Sequence, residues 1–287
     1  MKLDFKTYLS DILNEPITSL NAVSGGDISQ AYKLKTPQHT FFLKVNNSES
    51  SFNMFQVEAN ALEQIKNAKT IKTPQVFCYD RFENYSFLLL EFIESKLPLN
   101  TDFKTFGAKL AELHQVTQNN FGLDEDNFIG SLPQSNKTHL SWLDFYTKER
   151  LLPQLELAKK SGYLSDSECP LESTIKENLN HLFVNIKPSL LHGDLWSGNY
   201  LISTKGEPYL IDPALYFGHH EVDIAMTKLF GGFGSDFYSS YHAIIPQDKD
   251  TPARIEIYQL YYLLVHLNLF GRSYYRSVLS ILKKYFS

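Results

Sequence analysis

Two carboxylates and one amide in this sequence are spaced as a cation site would need them. Residues 190–202 form two short apolar segments around a polar loop with Asp194 and, five positions later, Asn199; another apolar segment ends at Asp212. Such oxygen atoms are the ligands that a hard cation prefers. In phosphoryl transfer to a hydroxyl, one aspartate receives the proton, while an asparagine and a second aspartate hold Mg²⁺. The spacing fits that chemistry, and a solvated β-hairpin is the alternative.

Three stretches around these residues carry a family resemblance. They read His-Gly-Asp-Leu-Trp-Ser-Gly-Asn at 192–199, Ile-Asp-Pro at 211–213 and Glu-Val-Asp-Ile-Ala-Met at 221–226. Together they resemble the fructosamine/ketosamine kinase family, in the aminoglycoside-phosphotransferase-like branch of the protein-kinase fold. The loop tryptophan and Leu-Phe-Gly-Gly-Phe at 229–233 are more particular to this family than the Asp, Asn and Asp set, which many small-molecule kinases share.

The resemblance implies roles for individual residues, with ATP and Mg²⁺ as cofactors. Asp194 is expected to accept or orient the substrate hydroxyl, and Asn199 and Asp212 to bind the metal. Asp223 lies near a helix start, where a carboxylate can accept backbone N–H groups, and is expected to brace the loop together with His192.

Trp196 follows Asp194 by two positions and is the candidate substrate contact. An indole offers a flat face to sugar C–H groups and to a neighbouring amine; the alternative is that it turns inward and pins the loop. Residues 127–155 also resemble the ketosamine kinases and suggest a lid or substrate wall. Equally, Trp142 and Phe145 could simply pack a helix against the core.

A pair of glycines lies between two predicted strands near the N-terminus. Gly25 and Gly26 separate apolar segments at 17–24 and 28–34. Because no helix follows, the pair fits neither a Rossmann nor a Walker-type loop. Glycines in a strand–turn–strand loop let backbone N–H groups approach phosphate oxygens, and Ser29 could add a hydroxyl. An ordinary hairpin turn is the alternative.

Lys44 stands inside an apolar strand at 40–45, where a charge is costly without a partner. The next segment, 52–68, has helical periodicity and carries Glu58. A strand lysine paired with a helix glutamate is the kinase arrangement that directs an ammonium at the α and β phosphates. The alternatives are a strand-edge lysine with a solvated glutamate, or pairing with Glu63.

The order of elements predicts an α+β fold. Strand-like segments dominate to about residue 92 and helical periodicity dominates afterwards. With the resemblance, this indicates a protein-kinase-like two-lobe fold. We expect a small, mainly antiparallel β nucleotide-binding lobe at 1–92 and a larger, mainly helical catalytic and substrate lobe at 93–287.

The end of the last strand of the smaller lobe is the expected hinge. By resemblance, backbone groups of Glu91, Phe92 and Ile93 pair with adenine.

Composition limits the partners. The net charge of −5 gives no reason to expect nucleic acid or an anionic membrane surface as a partner. The chain has two cysteines, too few for a disulfide framework, and no apolar signal core at its start. We therefore expect a cytoplasmic protein.

The resemblance implies an ATP-dependent, 3-kinase-like phosphotransferase acting on a sugar hydroxyl of ketosamines, the fructosamine or ribulosamine adducts of small or protein-bound amines. Phosphorylation would destabilise the adduct and so serve deglycation. Two alternatives stay open: a phosphotransferase for another amino-alcohol or an aminoglycoside, and a nucleotide-binding pseudoenzyme. The second is disfavoured because every catalytic position is filled.

Overall fold

The computed structural model describes residues 3–23 and 29–286. The strands are β1 (Ser19–Val23), β2 (Gln30–Lys35), β3 (Thr40–Asn46), β4 (Val76–Phe82), β5 (Tyr85–Glu91), β6 (Ser95–Lys96), β7 (Asn127–Ile129), β8 (Leu132–Gln134), β9 (Ser189–Leu191), β10 (Tyr200–Ser203), β11 (Pro208–Leu210) and β12 (Tyr216–Gly218). The helices are α1 (Leu3–Leu13), α2 (Ser51–Asn67), α3 (Asn100–His114), α4 (Trp142–Phe145), α5 (Leu152–Lys160), α6 (Glu172–Leu179), α7 (Glu221–Phe230), α8 (Ser235–Ile244), α9 (Thr251–Phe270) and α10 (Tyr275–Phe286). In the described ranges, no helix combines the length and the hydropathy needed to cross a membrane.

The chain divides into a β-rich N-terminal unit and a helical C-terminal unit. The N-terminal unit is Met1–Pro98 with Leu201–Asp212, and the C-terminal unit is Leu99–Tyr200 with Pro213–Ser287. The α+β class is confirmed, but the division differs from the predicted boundary after residue 92. The reason is β6, which follows residue 92 and pairs antiparallel with the end of β10. This pairing places residues 201–212 with the N-terminal unit.

The main sheet of the N-terminal unit is antiparallel, with strand order β1-β2-β3-β5-β4. β5 is apolar at consecutive positions because both of its faces are covered. Phe87 and Leu89 pack in the cluster that contains Phe5 of α1, whereas Leu88 packs in the cluster that contains Phe55 of α2. Because side chains alternate along a strand, a helix on each face buries residues 86–90 of this strand.

The C-terminal unit is built around α9. This twenty-residue helix packs against α5, α7 and α10, and most of its side chains are buried. α3 packs closely on α8, and Gly107 permits this approach, since a Cβ there would lie 2.1 Å from the carbonyl oxygen of Phe237. The short strands β9 and β12 pair antiparallel and flank the loop that contains Asp194.

Candidate active site

Lys44 and Glu58 are brought together by the alternation of β3. Leu43 and Val45 point into the α1 side of the sheet, so Lys44 points to the α2 side, where α2 presents Glu58 one turn after Phe55. The Nζ of Lys44 lies 2.8 Å from Oε1 and 3.0 Å from Oε2 of Glu58. Lys44 is only 7% exposed on a central strand, which excludes a solvated strand-edge lysine.

Asp212 is the second carboxylate on the same ammonium. Its Oδ1 accepts a hydrogen bond from Lys44, and its backbone is left-handed, with φ of 53°. Burial alone would lower the pKa of Lys44, but the carboxylates of Asp212 and Glu58 outweigh it and raise that pKa. Burial raises the pKa of Glu58 above its ordinary value and Asp212 adds to this, while the Lys44 ammonium opposes both. One buried ammonium therefore serves two partly buried carboxylates.

Glu63, the competing partner, pairs instead with Lys66 on the exposed side of α2, with Nζ and Oε1 3.0 Å apart.

Replacing Lys44 by Met is expected to weaken productive ATP binding by about tenfold to a hundredfold, the scale of a lost charged hydrogen bond. Glu58→Gln should weaken it less, because Asp212 still holds the ammonium. The matched controls are Lys72→Met and Glu207→Gln, which break an exposed ion pair in the same unit. The measurement is KM for ATP and nucleotide affinity by titration. If the Lys44 and Lys72 variants behave alike, Lys44 has only a structural role.

The loop after β9 joins Asp194 to Asn199. The Nδ2 of Asn199 donates to the backbone carbonyl of Asp194 at 2.9 Å and to its Oδ2 at 3.1 Å. The backbone N–H of Asn199 donates to the carbonyl of Trp196 at 3.0 Å, which closes the turn. With its nitrogen so engaged, the amide oxygen is the atom of Asn199 that could bind a cation. This oxygen and the carboxylate of Asp212 are donors of the type that Mg²⁺ takes.

Gly193 is required by the loop. Its φ is 84°, and a Cβ would lie 2.0 Å from the carbonyl oxygen of Ala214. The Ala214 N–H in turn donates to the carbonyl of His192 at 2.9 Å, so the two chain segments are in direct contact. A side chain at position 193 would separate them and displace Asp194.

Asp223 holds the start of this loop. Its Oδ2 accepts the N–H of His192 at 2.7 Å and its Oδ1 accepts the N–H of Gly193 at 2.9 Å. All three residues are buried, and Tyr262 donates its hydroxyl to the Gly193 carbonyl at 2.8 Å. Burial alone would raise the pKa of Asp223, but hydrogen bonds from His114 and the loop lower it below the ordinary value. These contacts suit the bracing role predicted for His192 and Asp223.

The two tryptophans have different surroundings. Trp196 is half-buried, and its indole lies against Gly198, where a Cβ would meet the ring at 2.4 Å. Trp142 is 2% exposed, stacks on Phe145 at 5.6 Å, and donates its ring N–H to Tyr258 at 2.9 Å. Trp142 and Phe145 are therefore core residues rather than parts of a lid or substrate wall.

Of the residues predicted to contact the phosphates near the N-terminus, the structure describes only Ser29. Gly25 and Gly26 lie outside the described residues. Ser29 precedes β2, and its Oγ accepts a hydrogen bond from Asn46 at 3.2 Å.

In the predicted hinge, two backbone N–H groups already have partners within the N-terminal unit. Glu91 donates to Gln75 at 2.8 Å and Phe92 donates to Thr40 at 3.4 Å. The predicted adenine contact would therefore not use these two N–H groups.

His219, His220 and Glu221 place possible ligand atoms within 4.8 Å of one another. Arg254 donates to both oxygens of Glu221, at 2.6 and 2.7 Å. His219 bonds through Nδ1 to Tyr258 at 2.8 Å. A cation here would have to displace the buried arginine from Glu221.

Sequence reasoning missed Tyr241 and Tyr262, which contact the polar groups behind the loop. Both look like ordinary tyrosines on the buried faces of their helices, and no local signal separates them from their neighbours.

The chain matches the family model "Fructosamine kinase" over residues 1–287. It is 37% identical over 294 residues to a "Probable ketoamine kinase" of Enterococcus faecium, with 99% of this chain and 100% of the relative covered. It is 38% identical over 274 residues to "Protein-ribulosamine 3-kinase, chloroplastic" of Arabidopsis thaliana, with 94% and 83% covered.

Comparison with solved structures shows the fold. A Haemophilus somnus structure assigned as a fructosamine-3-kinase superposes with a TM-score of 0.89 at 28% identity, covering 99% of this chain and 97% of that one. An aminoglycoside phosphotransferase in complex with AMP-PNP and hygromycin B has a TM-score of 0.64 at 15% identity, covering 98% of each chain, which shows the fold alone. The predicted protein-kinase-like fold and the family resemblance are confirmed. This chain belongs to the fructosamine kinase family.

Proposed function

We propose that this kinase transfers the γ-phosphoryl group of ATP to a sugar hydroxyl, the 3-hydroxyl, of a ketosamine. The observation that carries the proposal is the buried Lys44, hydrogen-bonded to both Glu58 and Asp212, in a chain that matches the family over its full length. Relatives named ketoamine kinase and protein-ribulosamine 3-kinase support the substrate class. A pseudoenzyme is disfavoured because the lysine, both carboxylates and the loop asparagine are all present.

In this proposal, Lys44 holds the α and β phosphates, and its pairing with Glu58 fixes the direction of the ammonium. Asn199 and Asp212 would hold Mg²⁺ through their side-chain oxygens. The ion would supply neutralisation of the negative charge that develops during transfer. Gly25, Gly26 and Ser29 are proposed to contact phosphates, and the segment Glu91, Phe92 and Ile93 to contact adenine.

Asp194 acts on the acceptor. Its carboxylate receives or orients the proton of the sugar hydroxyl as the oxygen attacks phosphorus. The Nδ2 of Asn199, 3.1 Å from Oδ2, restricts the rotation of that carboxylate. Asp223 fixes the backbone from which Asp194 projects. Positioning therefore supplies much of the rate enhancement, as expected when the protein does little covalent chemistry.

The product explains the proposed role in deglycation. A phosphate ester beside the carbonyl carbon of the ketosamine is a better leaving group than the hydroxyl it replaces. When C1 loses a proton, phosphate departs from C3 with the electrons of the C–O bond, and the nitrogen is left in an imine. Water then hydrolyses the imine and frees the amine. We propose a cytoplasmic location, as for an intracellular repair enzyme, although the Arabidopsis relative is named chloroplastic.

Trp196→Ala tests whether the half-buried indole contacts the ketosamine. We expect folding and ATP affinity to be kept and kcat/KM for fructosyl-lysine to fall by about 2- to 30-fold, the scale of a cation–π contact. The measurement is steady-state kinetics with fructosyl-lysine, together with thermal melting.

The control for Trp196→Ala is Trp142→Phe, which alters a fully packed ring and should lower Tm without changing substrate preference. If Trp196→Ala lowers Tm and all activities together, the indole pins the loop instead. Unchanged melting with unchanged ketosamine kinetics would contradict both roles.

The proposed function is tested with a substrate panel and coupled ADP detection. Fructosyl-lysine, ribulosyl-lysine, a glycated peptide, choline, hygromycin B and a blank without acceptor are compared at the same ATP and Mg²⁺ concentrations. The proposal predicts turnover with the ketosamines well above the blank. Turnover with choline or hygromycin B alone would support the other phosphotransferase function, and no turnover above the blank would support the pseudoenzyme.

A further inference from the structure

A row of buried polar side chains leads away from the loop of Asp194. Asp223, which holds that loop, also faces His114 of α3, with Oδ2 and Nε2 3.1 Å apart. The other ring nitrogen of His114 lies 2.7 Å from the hydroxyl of Tyr241 on α8. The same hydroxyl lies 3.0 Å from Nδ1 of His220, which precedes α7. The row thus links α3, α8 and the start of α7 to one carboxylate.

Asp223 determines how hydrogen atoms are arranged in the row. An ionised carboxylate only accepts hydrogen bonds, so Nε2 of His114 must carry a hydrogen. In the neutral ring, Nδ1 then accepts from the hydroxyl of Tyr241, whose oxygen accepts from His220. Tyr241 therefore fixes the ring orientation in which His114 can donate to Asp223.

Asp223 needs this donor because it is fully buried. A buried charge is costly unless it is well hydrogen-bonded. Burial would raise the pKa of Asp223, and the hydrogen bond from His114 is the largest influence that lowers it. Without His114, the pKa should rise, and a protonated carboxyl would hold the N–H groups of His192 and Gly193 less firmly. The titratable groups that face Asp223 are His114 from α3, His192 from the loop, Tyr241 from α8, Tyr262 from α9 and Tyr216 from β12.

We propose that His114 and Tyr241 are positioning residues for phosphoryl transfer. They keep Asp223 oriented as an acceptor, and Asp223 in turn holds the two peptide N–H groups that precede Asp194. Neither residue touches the substrate in this proposal, which rests on the proposed function for its kinetic part. The competing explanation is that both residues only stabilise the packing of α3 on α8.

Four variants separate the two explanations. His114→Leu removes the donor, whereas His114→Gln keeps an amide N–H at the position of Nε2. Tyr241→Phe removes only the hydroxyl. The control is Tyr238→Phe, on the same helix, which removes a hydroxyl that bonds to Thr227 at 3.2 Å.

We expect His114→Leu to lower kcat for a ketosamine by about tenfold to a hundredfold, with KM for ATP unchanged. His114→Gln should restore most of the rate, Tyr241→Phe should give a smaller loss, and Tyr238→Phe none. The pH profile adds a second readout. In the wild type, the pKa of Asp223 is lowered, so its carboxylate stays ionised. In His114→Leu that pKa should be raised, and kcat should therefore fall as the pH drops through it.

The decisive readout needs no substrate. Carbon-13 NMR of labelled aspartate carboxyls, assigned with Asp223→Asn, follows the titration of Asp223 directly. The proposal predicts a higher pKa in His114→Leu and Tyr241→Phe and a near wild-type value in His114→Gln and Tyr238→Phe. Because this titration does not depend on the acceptor, it still tests the row if no ketosamine is phosphorylated.

The proposal is overturned if His114→Leu and Tyr241→Phe lower Tm but leave kcat, its pH profile and the Asp223 titration as in wild type. If His114→Leu does not fold, Tyr241→Phe and His114→Gln decide. Equal loss of rate in His114→Gln and Tyr241→Phe, without a shift in the Asp223 titration, would also contradict it.

Discussion

Asp212→Ala is expected to lower Mg²⁺-dependent turnover by roughly a thousandfold or more, because several kcal/mol of charge stabilisation would come from the metal that this carboxylate is proposed to hold. The fold should be kept, since Lys44 retains its two hydrogen bonds to Glu58. The measurement is kcat as a function of Mg²⁺ concentration, with thermal melting as a check on folding.

The matched control for this prediction is Asp166→Ala, which removes an aspartate whose side chain is 90% exposed and paired with Lys159. It should leave turnover and its Mg²⁺ dependence unchanged. Normal turnover by Asp212→Ala at low Mg²⁺ would mean that the metal ligand has been assigned to the wrong residue.

Asp194→Asn is expected to slow the chemical step by ~10²–10⁴-fold while nucleotide affinity stays close to wild type. The amide keeps the size of the side chain and can still offer an oxygen to the Nδ2 of Asn199, but it cannot take up the proton. The loose transition state of phosphoryl transfer places the effect toward the lower end of that range. The measurement is single-turnover phosphorylation of fructosyl-lysine, with ADP binding measured by calorimetry.

For Asp194→Asn, the control is Asp166→Asn, which makes the same chemical change on the surface. An unchanged single-turnover rate would remove Asp194 from its proposed role. A loss of ADP affinity as large as the loss of rate would show instead that the substitution had disturbed the nucleotide site.

The sequence was informative where local periodicity determines the direction in which a side chain points. The alternation of β3 places Lys44 opposite its two apolar neighbours, and the helical spacing of α2 places Glu58 on the sheet side, so their pairing could be predicted. The loop of Asp194 and Asn199 was recognisable because strand, polar turn and strand follow one another within a few residues.

The sequence was less informative where a contact joins distant segments. β6 has two residues and no pattern of its own, so its pairing with β10, which ties 201–212 to the N-terminal unit, could not be anticipated. The sequence pattern of the aromatic residues in 127–155 is compatible with a substrate wall and with a packed core. The contacts of Trp142 show that it belongs to the core.

The hydroxyl of Tyr241 could not be predicted to reach His114 from another helix. On the buried face of a helix, a tyrosine whose hydroxyl has a specific partner follows the same sequence pattern as a tyrosine that only packs.

The central claim, that the protein phosphorylates ketosamines, is tested most directly by identifying the product. Fructosyl-lysine is incubated with ATP and Mg²⁺, and phosphorus NMR and mass spectrometry follow both substrates while free lysine is measured in parallel. The account predicts one phosphate ester on the 3-hydroxyl for each ATP consumed, followed by release of lysine faster than from unphosphorylated fructosyl-lysine. Consumption of ATP that yields only inorganic phosphate, with fructosyl-lysine unchanged, would contradict it.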